Sequence, residues 1–397
     1  MMKNKVVIAY SGGLDTSYCA HLMASDKQNE VYAVTVNTGG FSAAEIASIE
    51  EKALAFGVSY YECIDARERL YNEVLRFLIY GNVLRNNTYP LSVSAERATQ
   101  AMVLIEYAKK VGAQSIVHGS TGAGNDQVRF DLIFSVLAPE IEIITPIRDN
   151  TLSREEEIDY LKGHGYEFSF EKSKYSVNKG IWGTSVGGAE TLTSSTGLPE
   201  SAYPSQLEKS TPEKLALEFR SGELSSVNGQ KGSPTELITL LEEIAAPFAI
   251  GRDIHVGDTI LGIKGRVGFE AAAPMIILKA HELLEKHVLT KWQQYQKQQL
   301  AQFYGMLLHE GQLLDPVMRD TEAYLERSQE RVTGAVYLTL HPYRFTLEGI
   351  ESPYDMMQSK VATYGETNKA WDSRDAKGFI KIYSNAIQIS HHAKPQD

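Results

Sequence analysis

The sequence predicts a doubly wound parallel α/β sheet followed by an α+β domain. Three observations carry that expectation. A β-branched N-terminal run breaks at a Gly-Gly turn, strand-like and helix-like runs alternate to about residue 165, and the texture then changes.

The elements follow in order. Val6-Val7-Ile8-Ala9-Tyr10 reads as a buried strand, and Ser11-Gly12-Gly13-Leu14-Asp15-Thr16-Ser17 as a tight turn opening a helix through Ala20, Leu22 and Met23. Residues 31–36, 58–64, 115–118 and 141–144 read as further strands, and 43–56, 67–78, 97–111 and 154–163 as helices. Residues 180–212 are rich in Gly, Ser, Thr and Pro and read as long loops. Strand pairs are expected around 254–263 and 335–347, with one long helix over 274–308 between them. His391 and His392 have no ligand partners nearby and read as a solvated, disordered tail. The expected division is 1–165 for a nucleotide-binding domain, 166–360 for a substrate domain and 361–397 for a tail suited to assembly.

The chain of 397 residues allows two or three domains, and 43% hydrophobic with 22% charged residues is ordinary for a globular protein. Its 39 basic and 50 acidic side chains leave a formal charge of −11, which argues against nucleic acid or an anionic membrane as partner. Cys19 and Cys63 form no metal-ligand or redox pattern, so a reducing, cytoplasmic compartment is expected. The first apolar run is short and leads straight into the turn, which does not read as a signal peptide, and no run is long enough to span a bilayer.

A strand, a Gly-rich turn and a helix start aim several backbone N–H groups and a helix dipole at one point, where phosphate is the natural ligand. No Gly-Lys-Ser or Gly-Lys-Thr follows the glycines, so this is not a Walker loop. A second loop, Gly119-Ser120-Thr121-Gly122-Ala123-Gly124-Asn125-Asp126-Gln127-Val128-Arg129-Phe130, follows the strand at 115–118. Asn125, Asp126 and Arg129 bring an amide, a carboxylate and a guanidinium within five residues, a set suited to an amino-acid substrate.

The first loop resembles the pyrophosphate-binding loop of the ATP pyrophosphatases. With the second loop, and with Tyr89-Pro90-Leu91-Ser92-Val93-Ser94, Leu152-Ser153-Arg154-Glu155-Glu156, Tyr175-Ser176, Trp182-Gly183, Ile263-Lys264-Gly265-Arg266 and Glu351-Ser352-Pro353-Tyr354, most of the chain is similar to argininosuccinate synthases. The resemblance implies a HUP-like ATP-pyrophosphatase domain and a synthetase domain. It implies condensation of citrulline with aspartate, with ATP as co-substrate, Mg²⁺ on its phosphates, a citrullyl-adenylate intermediate and a homotetramer. It places ATP on Ala9, Tyr10, Ser11, Gly12, Gly13, Leu14, Asp15, Thr16, Ser17 and Gly119. Aspartate falls to Thr121, Asn125 and Asp126, and citrulline to Tyr89, Ser94, Asn125, Arg129, Ser176 and Ser185. It names no general base and no protein metal ligands.

The chain departs from that pattern mainly at the citrulline end. Gly257 and Phe269 stand where the family usually has Glu and Tyr; Asn178, Gly180 and Gly187 replace Asp, Asn and Glu. Ala123 stands where Lys is common, and Arg97 keeps its place while Glu96 intrudes beside it and the following Pro is missing. Two explanations stand: other side chains have taken over the lost contacts, which is the plainer one, or the substrate is a citrulline acylated on its α-nitrogen. Two further functions are weighed. A tRNA-thiolating pyrophosphatase needs a reactive cysteine pair and a basic face, and the chain has neither. A non-catalytic nucleotide sensor would have no use for Thr121, Asn125 and Asp126.

Overall fold

The computed structural model describes residues 3–167, 175–362, 364–365 and 368–393. The N-terminal part runs β1 (Asn4–Ala9), α1 (Leu14–Ser25), β2 (Asn29–Asn37), α2 (Ala43–Ala55), β3 (Tyr60–Asp65), α3 (Arg67–Leu70), α4 (Arg76–Gly81), α5 (Ser92–Val111), β4 (Ser115–Val117), α6 (Asp126–Leu137), β5 (Glu142–Ile144), α7 (Pro146–Asp149) and α8 (Arg154–Gly163). Its five strands are all parallel, in the order β3-β2-β1-β4-β5. Strand β1 is central, and successive crossovers leave it in opposite directions, so a crevice opens at the carboxyl ends of β1 and β4. Both glycine-rich loops emerge there. Burial on both faces explains why these strands read as apolar runs: Val7, Ile8, Ala33, Ile116 and Val117 are fully buried.

The second part adds β6 (Ser176–Gly180), β7 (Gly183–Gly187), β8 (Glu213–Arg220), β9 (Glu223–Val227), β10 (Gln230–Lys231), α9 (Pro234–Ala245), β11 (Arg252–Asp258), β12 (Lys264–Glu270), α10 (Ala272–Val288), α11 (Lys291–His309), α12 (Pro316–Ser328), β13 (Gly334–His341), β14 (Arg344–Glu351), α13 (Ser373–Tyr383) and α14 (Asn385–His392). They form two antiparallel sheets, β10-β9-β8-β13-β14 and β11-β12-β7-β6. The smaller sheet faces the crevice. Trp182, fully buried, ties it to the N-terminal part by donating from Nε1 to the Pro90 carbonyl at 2.9 Å.

Five expectations are corrected. The helix expected from residue 97 starts at Ser92, because the Tyr89 hydroxyl accepts from Val93 N at 3.2 Å and supplies the cap that no Ser or Asp provides. The helix expected over 67–78 runs to Gly81 through a π-helical turn at Tyr71–Leu75. The single long helix over 274–308 is two, since Leu289 is extended and Thr290 opens α11 with a capping box to Gln293. Within 180–212 the segment Gly183–Gly187 is a largely buried strand, and the terminal histidines end the exposed helix α14 rather than a disordered tail.

Candidate active site

The crevice is a cleft of about 1070 Å³ bounded by both loops, the first turns of α5 and α8, the hairpins β6–β7 and β11–β12, and His309 at the end of α11. On the first loop, Gly12 takes a left-handed φ of +74°, open to glycine at little cost. Tyr10 N donates to the Val34 carbonyl at 2.9 Å, and Thr16 Oγ1 accepts from Ser11 N and donates to the Gly13 carbonyl. The cap residue of α1 is Gly13, which offers no side chain to the helix N–H groups. Those donors and the helix dipole are left for an anion.

The second loop lies directly against this helix start. A Cβ at Gly119 would stand 3.1 Å from the Asp15 main chain, so glycine lets the two loops approach. Gln127 Nε2 braces the loop by donating to the Gly122 carbonyl at 2.5 Å. At the loop base, His118 and Arg148 share Asp131, at 2.8 and 2.6 Å.

Asp15 and Glu157 form a carboxyl pair beside the first loop. Burial raises both, and at Glu157 the Asp15 charge adds to it, bringing that carboxyl up to about 8, while Arg154 works in the opposite sense on each. The pair therefore shares a proton near neutrality. Glu157 Oε2 is buried without a hydrogen-bond partner.

A buried charge network spans the cleft floor. Asp126 accepts from Arg97 Nε at 2.8 Å and Arg129 Nη1 at 3.0 Å. Burial pushes its carboxyl up, but the two guanidinium groups outweigh that and hold it below the usual range. Arg97 also donates to Asn178 Oδ1 at 2.6 Å and Gln100 Oε1 at 3.0 Å. Arg129 donates from Nε and Nη2 to the His309 carbonyl at 3.0 and 2.9 Å. Burial, then Arg129 and Arg85, bring His309 down to about 4, so its ring is neutral. Asn125 Oδ1 accepts from Ile260 N at 2.8 Å, which fastens the second loop to the turn after β11.

The wall opposite the first loop is built on Tyr89. Its ring stacks on His255 and packs on Phe269, each with centroids 5.4 Å apart, and its hydroxyl lies 3.0 Å from Ser92 Oγ. Ser185 on β7 is paired with Phe269 on one side and Asn178 on the other.

Of the residues singled out in the sequence, Ala9, Tyr10, Ser11, Gly13, Leu14, Asp15, Thr16, Gly119, Thr121, Asn125, Asp126, Arg129, Tyr89, Ser94, Ser176 and Ser185 all line this one cleft. Gly12 and Ser17 do not: Gly12 backs onto Ile49, and Ser17 is fully buried beneath the loop. Sequence reasoning assigned no role to Arg97, Glu157, His255 or His309. Arg97 was legible as a family position, and Glu157 as the residue after Arg154-Glu155-Glu156. His255 and His309 carry no local signal, because their places depend on a hairpin and a helix end far along the chain.

The comparisons agree with this architecture. The description "Arginosuccinate synthase N-terminal HUP domain" matches residues 5–167, and "Arginosuccinate synthase C-terminal domain" matches residues 175–390. Among curated relatives, the argininosuccinate synthase of Methanocaldococcus jannaschii is 36% identical over 385 residues, covering 96% of each chain. That of Pyrococcus furiosus is 37% identical over 392 residues, covering 98% of this chain and 94% of its own. That of Dictyoglomus thermophilum is 35% identical over 385 residues, again 96% of each.

Proposed function

The chain belongs to the argininosuccinate synthase family, and on that premise we propose how its cleft carries out the family's reaction. It is a ligase that forms a C–N bond between citrulline and aspartate at the expense of ATP, in arginine biosynthesis. The observation that carries the proposal is the convergence of two loops at one crevice: an uncapped helix start for phosphate beside a carboxylate–guanidinium network for amino acids.

ATP lies along Ala9, Tyr10, Ser11, Gly13, Leu14, Asp15, Thr16 and Gly119, with Gly12 and Ser17 supporting the loop from behind and its pyrophosphate on the N–H groups of α1. Citrulline lies along Tyr89, Ser94, Asn125, Arg129, Ser176 and Ser185, and aspartate along Thr121, Asn125 and Asp126. The ureido oxygen attacks the α-phosphorus, the bond to pyrophosphate breaks, and a citrullyl-adenylate forms. The aspartate amine, once deprotonated, adds to the ureido carbon, and AMP leaves with the former ureido oxygen. Such chemistry needs positioning and charge neutralisation more than a nucleophilic side chain. Arg97 and Arg129, fixed by Asp126, Asn178 and His309, supply rigid positive charge without rearrangement during reaction.

Asp15 and Glu157 fit Mg²⁺: they are hard oxygen donors beside the phosphate loop, already crowded enough to hold a proton, with Glu157 Oε2 unpartnered. The ion would neutralise the phosphates.

We assign residues 1–165 to nucleotide binding, 166–360 to the amino-acid substrates and 361–397 to assembly as a homotetramer. The exposed apolar side chains of α13 and α14 support the last assignment: Phe379, Ile380, Ile382, Tyr383, Ile387 and Ile389 are all more than half exposed. Two free cysteines suit a cytoplasmic setting, and no helix among the described residues is long and apolar enough to cross a membrane.

The test is pyrophosphate release by the purified protein with Mg²⁺-ATP, aspartate and a citrulline. Release that needs both amino acids supports the ligase. Release sustained over many turnovers without aspartate, or none at all with citrulline and its Nα-acyl forms, overturns it.

A further inference from the structure

We propose that the amino-acid end of the citrulline subsite is built for a citrulline whose α-nitrogen is acylated, and therefore uncharged. This rests on the ligase reading above and names its substrate more closely.

The ureido oxygen must reach the ATP α-phosphate at the first loop, so the α-carbon points away from that loop; we place it at the wall that Tyr89 and the β11–β12 hairpin give to the same cleft. A free amino acid brings an ammonium there. A buried ammonium needs an anion or several neutral acceptors, and leaving it unmatched costs far more than losing one hydrogen bond.

The wall offers no such anion among the described residues. Gly257 carries no side chain, and the space above it is filled by a neighbour: a Cβ there would lie 2.7 Å from His255 Nε2 and 3.1 Å from Asn86 Nδ2. The filling group is therefore an imidazole. Burial, and then the nearby positive charge of Arg85, lower its pKa and keep it neutral. Phe269 is fully buried behind Tyr89 and brings no hydroxyl to it.

Two of the carboxylates in reach are paired elsewhere. Asp258 pairs at the surface with Lys264 at 2.7 Å. Asp126 is held by Arg97 and Arg129. Glu96, which also lines the cleft, packs against Gly180 on β6 with Arg97 3.8 Å away, and burial raises its carboxyl to about 7. Arg85 and Arg129 make the surroundings cationic, which opposes a second cation.

An amide nitrogen has the opposite needs. It carries one N–H and no charge, and a neutral imidazole can accept from it. His255 lines the cleft, and its ring is stacked in place on Tyr89. The wall thus matches an amide in charge.

The test compares kcat/KM from pyrophosphate release with citrulline, Nα-acetylcitrulline and Nα-succinylcitrulline at saturating Mg²⁺-ATP and aspartate. Discrimination by an unmatched polar group should favour at least one acylated form by about 100-fold or more, mostly through KM. Free citrulline turned over as well as or better than both acylated forms overturns the inference while leaving the ligase standing. Silence with all three overturns the ligase reading and this inference with it. In the double variant His255→Ala with Gly257→Glu, the preference should shift about tenfold or more towards free citrulline. An unchanged ratio in a folded, active variant also overturns the inference.

Discussion

Glu96 and Gly180 occupy one volume at the edge of the cleft floor. A Cβ at Gly180 would overlap Glu96 Oε1, so the carboxyl lies buried on α5 only because position 180 on β6 has no side chain. Two departures that look unrelated in the sequence are a single matched change. The expected outcome is strong coupling: Gly180→Asn alone destabilises the protein, and Glu96→Ala in the same chain relieves most of the loss. Urea denaturation of the four proteins in the cycle should give a coupling of about 1–3 kcal/mol. Simple additivity would show that the two side chains do not compete for this space.

The same burial makes Glu96 a source of pH dependence. Burial raises its carboxyl to about 7, against partial relief from Arg97. The folded-state value lies above the unfolded one, so the folded protein binds the proton more tightly. That contribution is fully present below pH ~4.5 and is lost as pH rises through about 7. Glu96→Gln should therefore flatten the fall in stability across this window. Its benefit at pH 8 relative to pH 4 should be on the order of 3 kcal/mol, read from unfolding free energies at the two pH values. An equal effect at both would mean that the carboxyl is not desolvated.

Asp126 anchors two buried guanidinium groups, so its loss should harm folding and chemistry together. Asp126→Asn leaves Arg97 and Arg129 without their anion and should cost about 3–5 kcal/mol of stability. At a temperature where the variant is still folded, kcat/KM for aspartate should fall by about 100-fold or more. A variant with full stability would show that water, rather than Asp126, balances the arginines.

Glu157 gives a proton signature for nucleotide binding. Its carboxyl, raised to about 8 by burial and by Asp15, holds a proton at pH 7 that a bound Mg²⁺ would displace. Calorimetric titration with Mg²⁺-ATP in buffers of different ionisation enthalpy should report a proton released at pH 7, and much less with Glu157→Gln. The variant should also raise the KM for Mg²⁺-ATP by about tenfold. Identical proton release by both proteins would place the cation elsewhere.

Helices α13 and α14 present apolar side chains that the rest of the chain does not cover. Removing residues 372–397 should reduce the mass measured by light scattering from that of a tetramer, while the isolated subunit keeps its helical content. An unchanged mass would locate the assembly contacts on other surfaces.

Much of this protein is legible in one dimension. The strand, Gly-Gly turn and helix start of the first loop follow from β-branched residues and glycine acting on their own backbone. The capping box before Arg154 is equally local, and so is the one at Thr290, which a closer reading would have used to divide α10 from α11. Tertiary structure alone decided the rest. It brought the His309 carbonyl to Arg129 from 180 residues away, let the Tyr89 hydroxyl cap α5 five residues before the expected start, and folded His255 over Gly257. Sequence by itself determined the fold class and the phosphate loop, because backbone conformation answers to near neighbours. Only the folded chain decided which charge meets which and which side chain fills an emptied space, because those depend on distances between elements that no local pattern encodes.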